Sequence, residues 1–441
     1  MKKIAVIGSG ISGLSAAWAL RNTADVTLFE AEDRPGGHAH TVEINHSGSP
    51  LKVDVGFIVC NPLNYPNFMN FMSALGVETQ LSDMSFSVSD PVGYEWSSNP
   101  GGLFAKRRNL FNPNFIGMLL EILRFNKLAQ ADVEAGTIPS DMTLGAYLTN
   151  LGMSDRFRRN YILPMGAAIW STPEAQMDAY PALSFLNFFN NHKLIHMERP
   201  QWRTVSGGSQ SYVARIVETL GDRVRLNTPV FHVDRSDDGV VLNHAHGQEQ
   251  FDDVILACHA PQAKNLLGNG FDAELSALDG QQTIPNRAIL HCDPSLMPKR
   301  KAAWASWNVL KGHGERVTLT YWMNRLQSID DDKPVFVTLN PEIDPAPETV
   351  FGEYEFDHPL FNLDASRSVE EIGALNGQNG VWFAGAWLGH GFHEDGLKSG
   401  LRVALALGGT IPWEPANLGN IPYPMEEQTT APDLALMAAA Q

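Results

Sequence analysis

A glycine cluster near the N-terminus constrains this 441-residue chain more than any other feature. Ile4-Ala-Val-Ile7 is a short apolar run suited to a buried parallel strand. Gly8-Ser-Gly10-Ile11-Ser12-Gly13 follows, and Leu14 to Leu20 reads as a helix with small residues on one face. Val26-Thr-Leu-Phe-Glu30 is a second strand that ends in an acid. Order and spacing are those of a dinucleotide-binding βαβ unit. Gly8 permits the tight turn, Gly10 lets the backbone approach a pyrophosphate, and Gly13 lets helix and strand pack closely. The helix N-terminus presents unpaired N–H groups and partial positive charge to phosphate. Glu30 is placed to accept hydrogen bonds from a ribose.

Composition narrows the remaining choices. Hydrophobic residues at 44% and charged residues at 18% describe a globular chain able to bury a large core. A formal charge of -17 argues against nucleic acid as a partner, since phosphates demand a basic footprint. That charge is uneven. Residues 330–371 carry twelve acidic and two basic side chains, and residues 413–441 carry four acids and no base. The latter stretch is expected to be a loosely ordered acidic tail. Residues 101–130 instead hold five basic residues and one acid, around the apolar run Phe115 to Phe125. Such a helix either rests on anionic lipid headgroups or is buried with a solvated basic edge. Cys60, Cys258 and Cys292 lie far apart, so neither a disulfide framework nor a cysteine zinc site is expected. Lys2-Lys3 leads into only four apolar residues, too few for an export signal. The expected location is cytoplasmic, with peripheral contact to the inner membrane face through residues 101–130. No metal is expected, and oligomeric state is left open.

Downstream of Glu30, the segment Ala31-Glu-Asp-Arg34-Pro-Gly36-Gly37-His38-Ala-His-Thr41 resembles the flavin amine oxidase superfamily of amine oxidases, protoporphyrinogen oxidase and carotenoid desaturases. In that family an Arg-x-Gly-Gly-Arg segment lines the FAD pyrophosphate and flavin. The resemblance carries this role to Arg34, Gly36, Gly37 and Thr41, with His38 where the second arginine usually stands. It extends through Val205-Ser-Gly-Gly-Ser209 and Leu226-Asn-Thr-Pro-Val230, where Val230 would meet the adenine. Near the C-terminus it reaches Val381-Trp-Phe-Ala-Gly385 and Gly391-Phe392-His393-Glu394-Asp395-Gly396-Leu397. There the start of a last helix would face the flavin, and Ala386 replaces the family's usual glutamate. FAD, held without a covalent link, is the implied cofactor, with Ile11, Ser12 and Ala31 completing the candidate contacts.

The implied fold is α/β. A discontinuous Rossmann-type FAD-binding domain (1–80, 200–270, 371–412) would carry an inserted α+β substrate domain (81–199, 271–370), as in the amine oxidase fold. Phe392 and His393 are the candidates to face the flavin, Phe392 replacing a family tyrosine and so losing its hydroxyl. Trp170, Asn308, Tyr321, Trp322, Asn324 and Gln327 are candidate substrate contacts, the amides serving as the few polar groups of an apolar pocket. The combination of Tyr321-Trp-Met-Asn-Arg-Leu-Gln327, Arg199-Pro-Gln-Trp-Arg203 and Gly391-Phe-His-Glu-Asp-Gly396 is similar to a bacterial branch of predicted NAD/FAD-binding proteins. That branch is associated with modification of unsaturated or cyclopropane fatty acyl chains. The expected function is therefore hydride transfer from an activated carbon of an apolar or lipid substrate, by desaturation or double-bond isomerisation. A flavin amine oxidase and a non-catalytic flavoprotein partner of a lipid-modifying enzyme are the alternatives.

Overall fold

Burial on both faces explains the apolar character of the first strand. In the computed structural model, which describes residues 1–90, 93–312 and 317–418, Lys3–Ile7 is central in a five-stranded parallel sheet. The strand order is Val381–Phe383, Asp253–Leu256, Lys3–Ile7, Asp25–Phe29 and Val224–Arg225. Parallel strands require crossovers that cover both faces. Helix Ile11–Leu20 is one of these, and all ten of its residues are buried. Its serines, alanines and glycine reflect that crowding, since the final helix, His393–Ala406, lies directly against it. A methyl group at Gly400 would come within 2.1 Å of the Ser12 carbonyl oxygen. A three-stranded antiparallel meander (Val230–Ser236, Gly239–His244, Gly247–Phe251) leads into the sheet strand Asp253–Leu256.

A second, seven-stranded sheet is built from two separate stretches of chain. Its order is Val350–Pro359, Thr283–His291, Phe336–Leu339, Thr318–Trp322, Trp307–Leu310, Phe86–Ser89 and Glu95–Ser97. All pairings are antiparallel except that of Trp307–Leu310 with Phe86–Ser89. Helices Pro113–Ala135, Leu144–Asn150, Leu163–Trp170 and Ala182–Asn191 belong to the same part of the chain. Asn112 caps the longest of them through hydrogen bonds from the N–H groups of Asn114 and Phe115.

One buried carboxylate ties a two-stranded hairpin to the Ser209 turn and to Gln327, which lies between two strands of the second sheet. Asp54, at the end of the hairpin strand Ser49–Asp54, accepts hydrogen bonds from the Thr41 hydroxyl (2.6 Å), the Ser209 N–H (2.9 Å) and the Ser209 hydroxyl (2.8 Å). It also accepts from the Gln327 amide at 3.0 Å, while its own N–H donates back to the Gln327 oxygen at 2.9 Å. The first residues of the stretch expected to be a loose tail are packed. Trp413 contacts Trp18 (6.1 Å between ring centroids) and Phe71 (5.8 Å), and Ala416 exchanges backbone hydrogen bonds with the Asn67 amide. Residues 419–441 lie outside the described residues. Among those described, no helix is long and apolar enough to cross a membrane.

Burial raises the Asp54 carboxyl to about 6, against the opposing hydrogen bonds of Thr41 and Ser209. The folded state therefore holds this proton more tightly than the unfolded chain does. Its stabilising contribution is complete below about pH 4 and is lost as pH rises through about 6. In denaturation experiments, the stability difference between wild type and Asp54→Asn should change by roughly 3 kcal/mol across that window. A difference that stays constant with pH would contradict this assignment.

Candidate cofactor and substrate site

The glycine cluster forms a cradle whose three members do different things. Gly8 has φ +103°, and a methyl there would sit 2.8 Å from the Ala257 carbonyl oxygen. A methyl on Gly13 would lie 1.9 Å from the Gly8 oxygen, so helix and strand touch without side chains. Gly10 is the opposite case, with nothing within 4 Å of its missing Cβ. It caps the first helix without a side chain, leaving the first turn for an external acceptor. Gly37, at φ +55°, packs on Gly10, where its methyl would be 3.2 Å from the Gly10 Cα. The Gly36 N–H donates to the Ser9 oxygen and hydroxyl, and Arg34 donates to the Gly37 oxygen at 3.0 Å. Arg34 also pairs with Glu32.

Glu30 closes one end of this cradle. Its carboxylate accepts from the N–H and hydroxyl of Ser9 and from the Glu32 N–H, and exposed Ala31 follows it. Backbone bonds from Asn227 to Glu32 and from Thr228 to Glu30 seat the segment before Val230 against the same strand end. Open space over Gly10, an uncapped helix start and an acid at the second strand tip suit a dinucleotide. The residues present fit one.

At the other end, two helix N-termini lie side by side. A methyl at Gly396 would meet Ile11 Cγ2 at 2.8 Å, Ser12 Oγ at 3.1 Å and Ala386 Cβ at 3.6 Å. Gly385 donates its N–H to the Ser399 hydroxyl at 2.8 Å, and Ser399 in turn donates to the Gly396 oxygen at 2.7 Å. Leu397 is fully buried behind them. Asp395 holds the preceding turn in place by accepting from the N–H groups of His390 and Phe392, each at 3.1 Å.

His38 meets two other imidazoles. Its ring centroid is 5.3 Å from His358, 5.7 Å from His259 and 5.1 Å from the ring of Phe356. Burial and the mutual proximity of these rings push His38 well below the usual histidine range and His358 down to about 4. Where an arginine would bring fixed positive charge, this chain presents neutral imidazoles.

Several expected contacts have other work. The Glu394 carboxylate accepts from the N–H groups of Asn67 and Phe68 and from the Asn67 amide, capping helix Pro66–Leu75 rather than facing a cofactor. His393 turns its Nε2 to the Tyr212 hydroxyl at 2.6 Å and stacks on Phe57 at 3.7 Å, so it is a packed core group. Burial lowers it to about 3. The Thr41 hydroxyl is committed to Asp54 and to the Gln210 N–H. The three amides do not converge on a pocket. Asn308 bonds Ser87, Ala305 and Thr320; Asn324 bonds Asp330, Lys333 and Val335; Gln327 bonds Asp54. Tyr321 and Trp322 are consecutive in a strand and so face opposite sides. Tyr321 meets Trp307 edge-on, whereas Trp322 packs with Trp304 in a separate small cluster.

Phe392 and Trp170 do come together, in an aromatic cluster. Phe392 stacks on Phe188 at 4.5 Å and lies 6.2 Å from Trp170. Trp170 contacts Tyr180 at 4.6 Å, Phe188 at 4.9 Å and Phe185 at 5.5 Å, and its indole N–H donates to the His390 oxygen. His192 stacks on Phe188 at 3.8 Å, and burial lowers its imidazole to about 3. The buried Tyr180 hydroxyl has no hydrogen-bond partner among the described residues. The sequence analysis named Trp170 and Phe392 but missed Tyr180. Its Tyr-Pro-Ala setting at the start of helix Ala182–Asn191 carries no catalytic pattern.

Two substitutions separate cofactor loss from fold loss. Gly10→Ala has room and a tolerated backbone, so it should fold normally yet lose most flavin absorbance on purification. Gly13→Ala should instead destabilise by about 1–3 kcal/mol or more, through overpacking. Glu394→Ala leaves helix N–H groups unpaired and should cost about 3 kcal/mol in denaturation. Full flavin content in purified Gly10→Ala would show that the open space is not the phosphate site.

Comparison with known proteins agrees with this architecture. The family model for flavin containing amine oxidoreductases matches residues 11–340. The chain is 28% identical over 323 residues to flavin-containing amine oxidase A of Canis lupus familiaris, covering 69% of this chain and 58% of that protein. It is 26% identical over 265 residues to amine oxidase B of Bos taurus, covering 55% and 47%. The match thus spans less than two thirds of either relative. Among solved structures, cyclohexylamine oxidase from Brevibacterium oxydans superposes with a TM-score of 0.69 at 16% identity, covering 92% of this chain and 98% of that one. A CLA-producing fatty acid isomerase from P. acnes superposes at 0.67 and 15% identity, with the same coverage. At that identity the likeness is one of fold. The chain belongs to the flavin-containing amine oxidoreductase family, and FAD is the cofactor that membership brings.

Proposed function

We propose that this protein is an FAD-dependent oxidoreductase that acts on a long apolar substrate, an unsaturated fatty acyl chain, with FAD held non-covalently. The observation that carries the reading is the aromatic cluster around Phe392. Trp170, Phe185, Phe188 and Phe392 form it, His192 and Tyr180 beside them are neutral, and the nearby Asp395 carboxylate is taken up by the backbone N–H groups of His390 and Phe392. A cationic amine gains from electron-rich aromatics and a hydrogen-bonding partner. A phenyl ring in place of the family tyrosine favours a hydrocarbon. No cysteine occurs between residues 293 and 441, which supports a non-covalent cofactor at the C-terminal turn.

Bound FAD supplies the hydride acceptor. The residues of the chain bind, orient and exclude water. Phe392 and Phe188, stacked, form a flat wall that aligns an extended chain, and Trp170 closes the side through its bond to the His390 oxygen. Buried aromatics keep water away from the reacting carbon. The paired helix starts at Ile11 and His393 bring partial positive charge to the opening, where negative charge develops. An allylic carbon is the fitting donor, because an isolated methylene gives up hydride poorly.

A second reading, a flavin amine oxidase, is favoured by the names of the matching relatives. Anaerobic mixing of the holoprotein with a polyunsaturated acyl lipid or with a primary amine separates the two. The lipid should gain or shift a double bond, read by mass spectrometry, and Phe392→Ala should slow that change by up to about 100-fold while keeping FAD. Bleaching of the flavin band by the amine, with no change in the lipid, would overturn the proposal. Bound FAD that neither compound reduces, with the lipid unchanged, would instead point to a non-catalytic flavoprotein.

A further inference from the structure

Five large apolar side chains stand in solvent on one region of the molecule. Phe111 is 84% exposed and Met197 89% exposed, and Leu110, Leu120 and Leu123 are each more than half exposed. On helix Pro113–Ala135, Leu120 and Leu123 are one turn apart, and Lys127 follows on the same side. A shallow groove of about 330 Å³ joins Leu123 and Lys127 to Met197. Scattered exposed leucines need no explanation, but apolar side chains exposed at the start and along one face of a single helix do. Arg107, Arg108, Arg124 and Lys127 border it, and none is in an ion pair among the described residues. Of the neighbouring carboxylates, Glu121 is committed to Ser154, and Glu134 lines the groove opposite the Lys127 end.

We propose that this face, from Arg107 to Lys127 with Met197, is a docking surface for anionic lipid bilayers. Exposed Phe and Leu side chains would enter the headgroup boundary while the flanking arginines and lysine meet lipid phosphates. Charge complementarity selects this occupant. In a protein of net charge -17, a local cluster of four cations outside any ion pair of the described residues suits an anionic surface. A symmetric pairing of two copies through the same face would set those cations against each other. The helix also packs on Ala182–Asn191, which carries Phe185 and Phe188 of the aromatic cluster, and Gln130 donates to the Ile195 oxygen. If the acyl-chain reading holds, docking puts that cluster one helix from its substrate. The docking itself does not rest on that reading.

Co-sedimentation of the full holoprotein with phosphatidylcholine vesicles, with and without phosphatidylglycerol, tests the surface. Binding should rise at least about tenfold with the anionic lipid and fall at high salt. Phe111→Ser with Leu123→Ser, and separately Arg107→Ala with Arg108→Ala, should each weaken it about tenfold or more while retaining FAD and thermal stability. Equal or absent binding to both vesicle types, or binding untouched by the substitutions, would overturn the proposal. So would a concentration-dependent dimer, seen by sedimentation velocity and abolished by the same apolar pair.

Discussion

The contact between the first and last helices is the interaction on which the rest depends. Gly396 and Gly400 lie against Ile11, Ser12 and Ser15 at distances no Cβ would tolerate. Small residues let the two axes approach, so both N-termini open toward one space. A larger residue at either glycine would part the helices and separate the phosphate cradle from the turn that precedes Phe392. The parallel sheet supplies the floor beneath both, since its strands Lys3–Ile7 and Val381–Phe383 deliver the chain to those helix starts.

Around that junction, the ionisable groups serve architecture. Asp54 ties hairpin, Gly-Gly-Ser turn and Gln327 together; Glu394 caps a neighbouring helix; Asp395 pins the turn before Phe392. Each is bound by hydrogen bonds that a buried carboxylate needs. The consequence is a cluster of aromatic rings with little polar side-chain chemistry of its own. Reactivity there would depend on cofactor and alignment more than on an acid or base.

The Rossmann unit was legible in the sequence because its constraints are local: turn, helix start and strand end fall within thirty residues. The substrate region was not, because its partners are distant in the chain. Asn308 and Gln327 look like pocket amides beside aromatics, yet sheet registry and a buried aspartate claim them. Strand alternation alone would have separated Tyr321 from Trp322. His393 and Glu394 occupy the expected turn, but helical geometry rotates both inward, toward Tyr212 and Asn67. Tyr180 carried no signal, since only the fold brings it to Trp170.

The most direct test of this account is mass spectrometry of the small molecules released when the purified native protein is denatured. Equimolar FAD in the soluble fraction, with acyl lipid alongside it, is the predicted result. A protein that folds stably and releases no flavin, with none attached to its peptides, would contradict the account at its base.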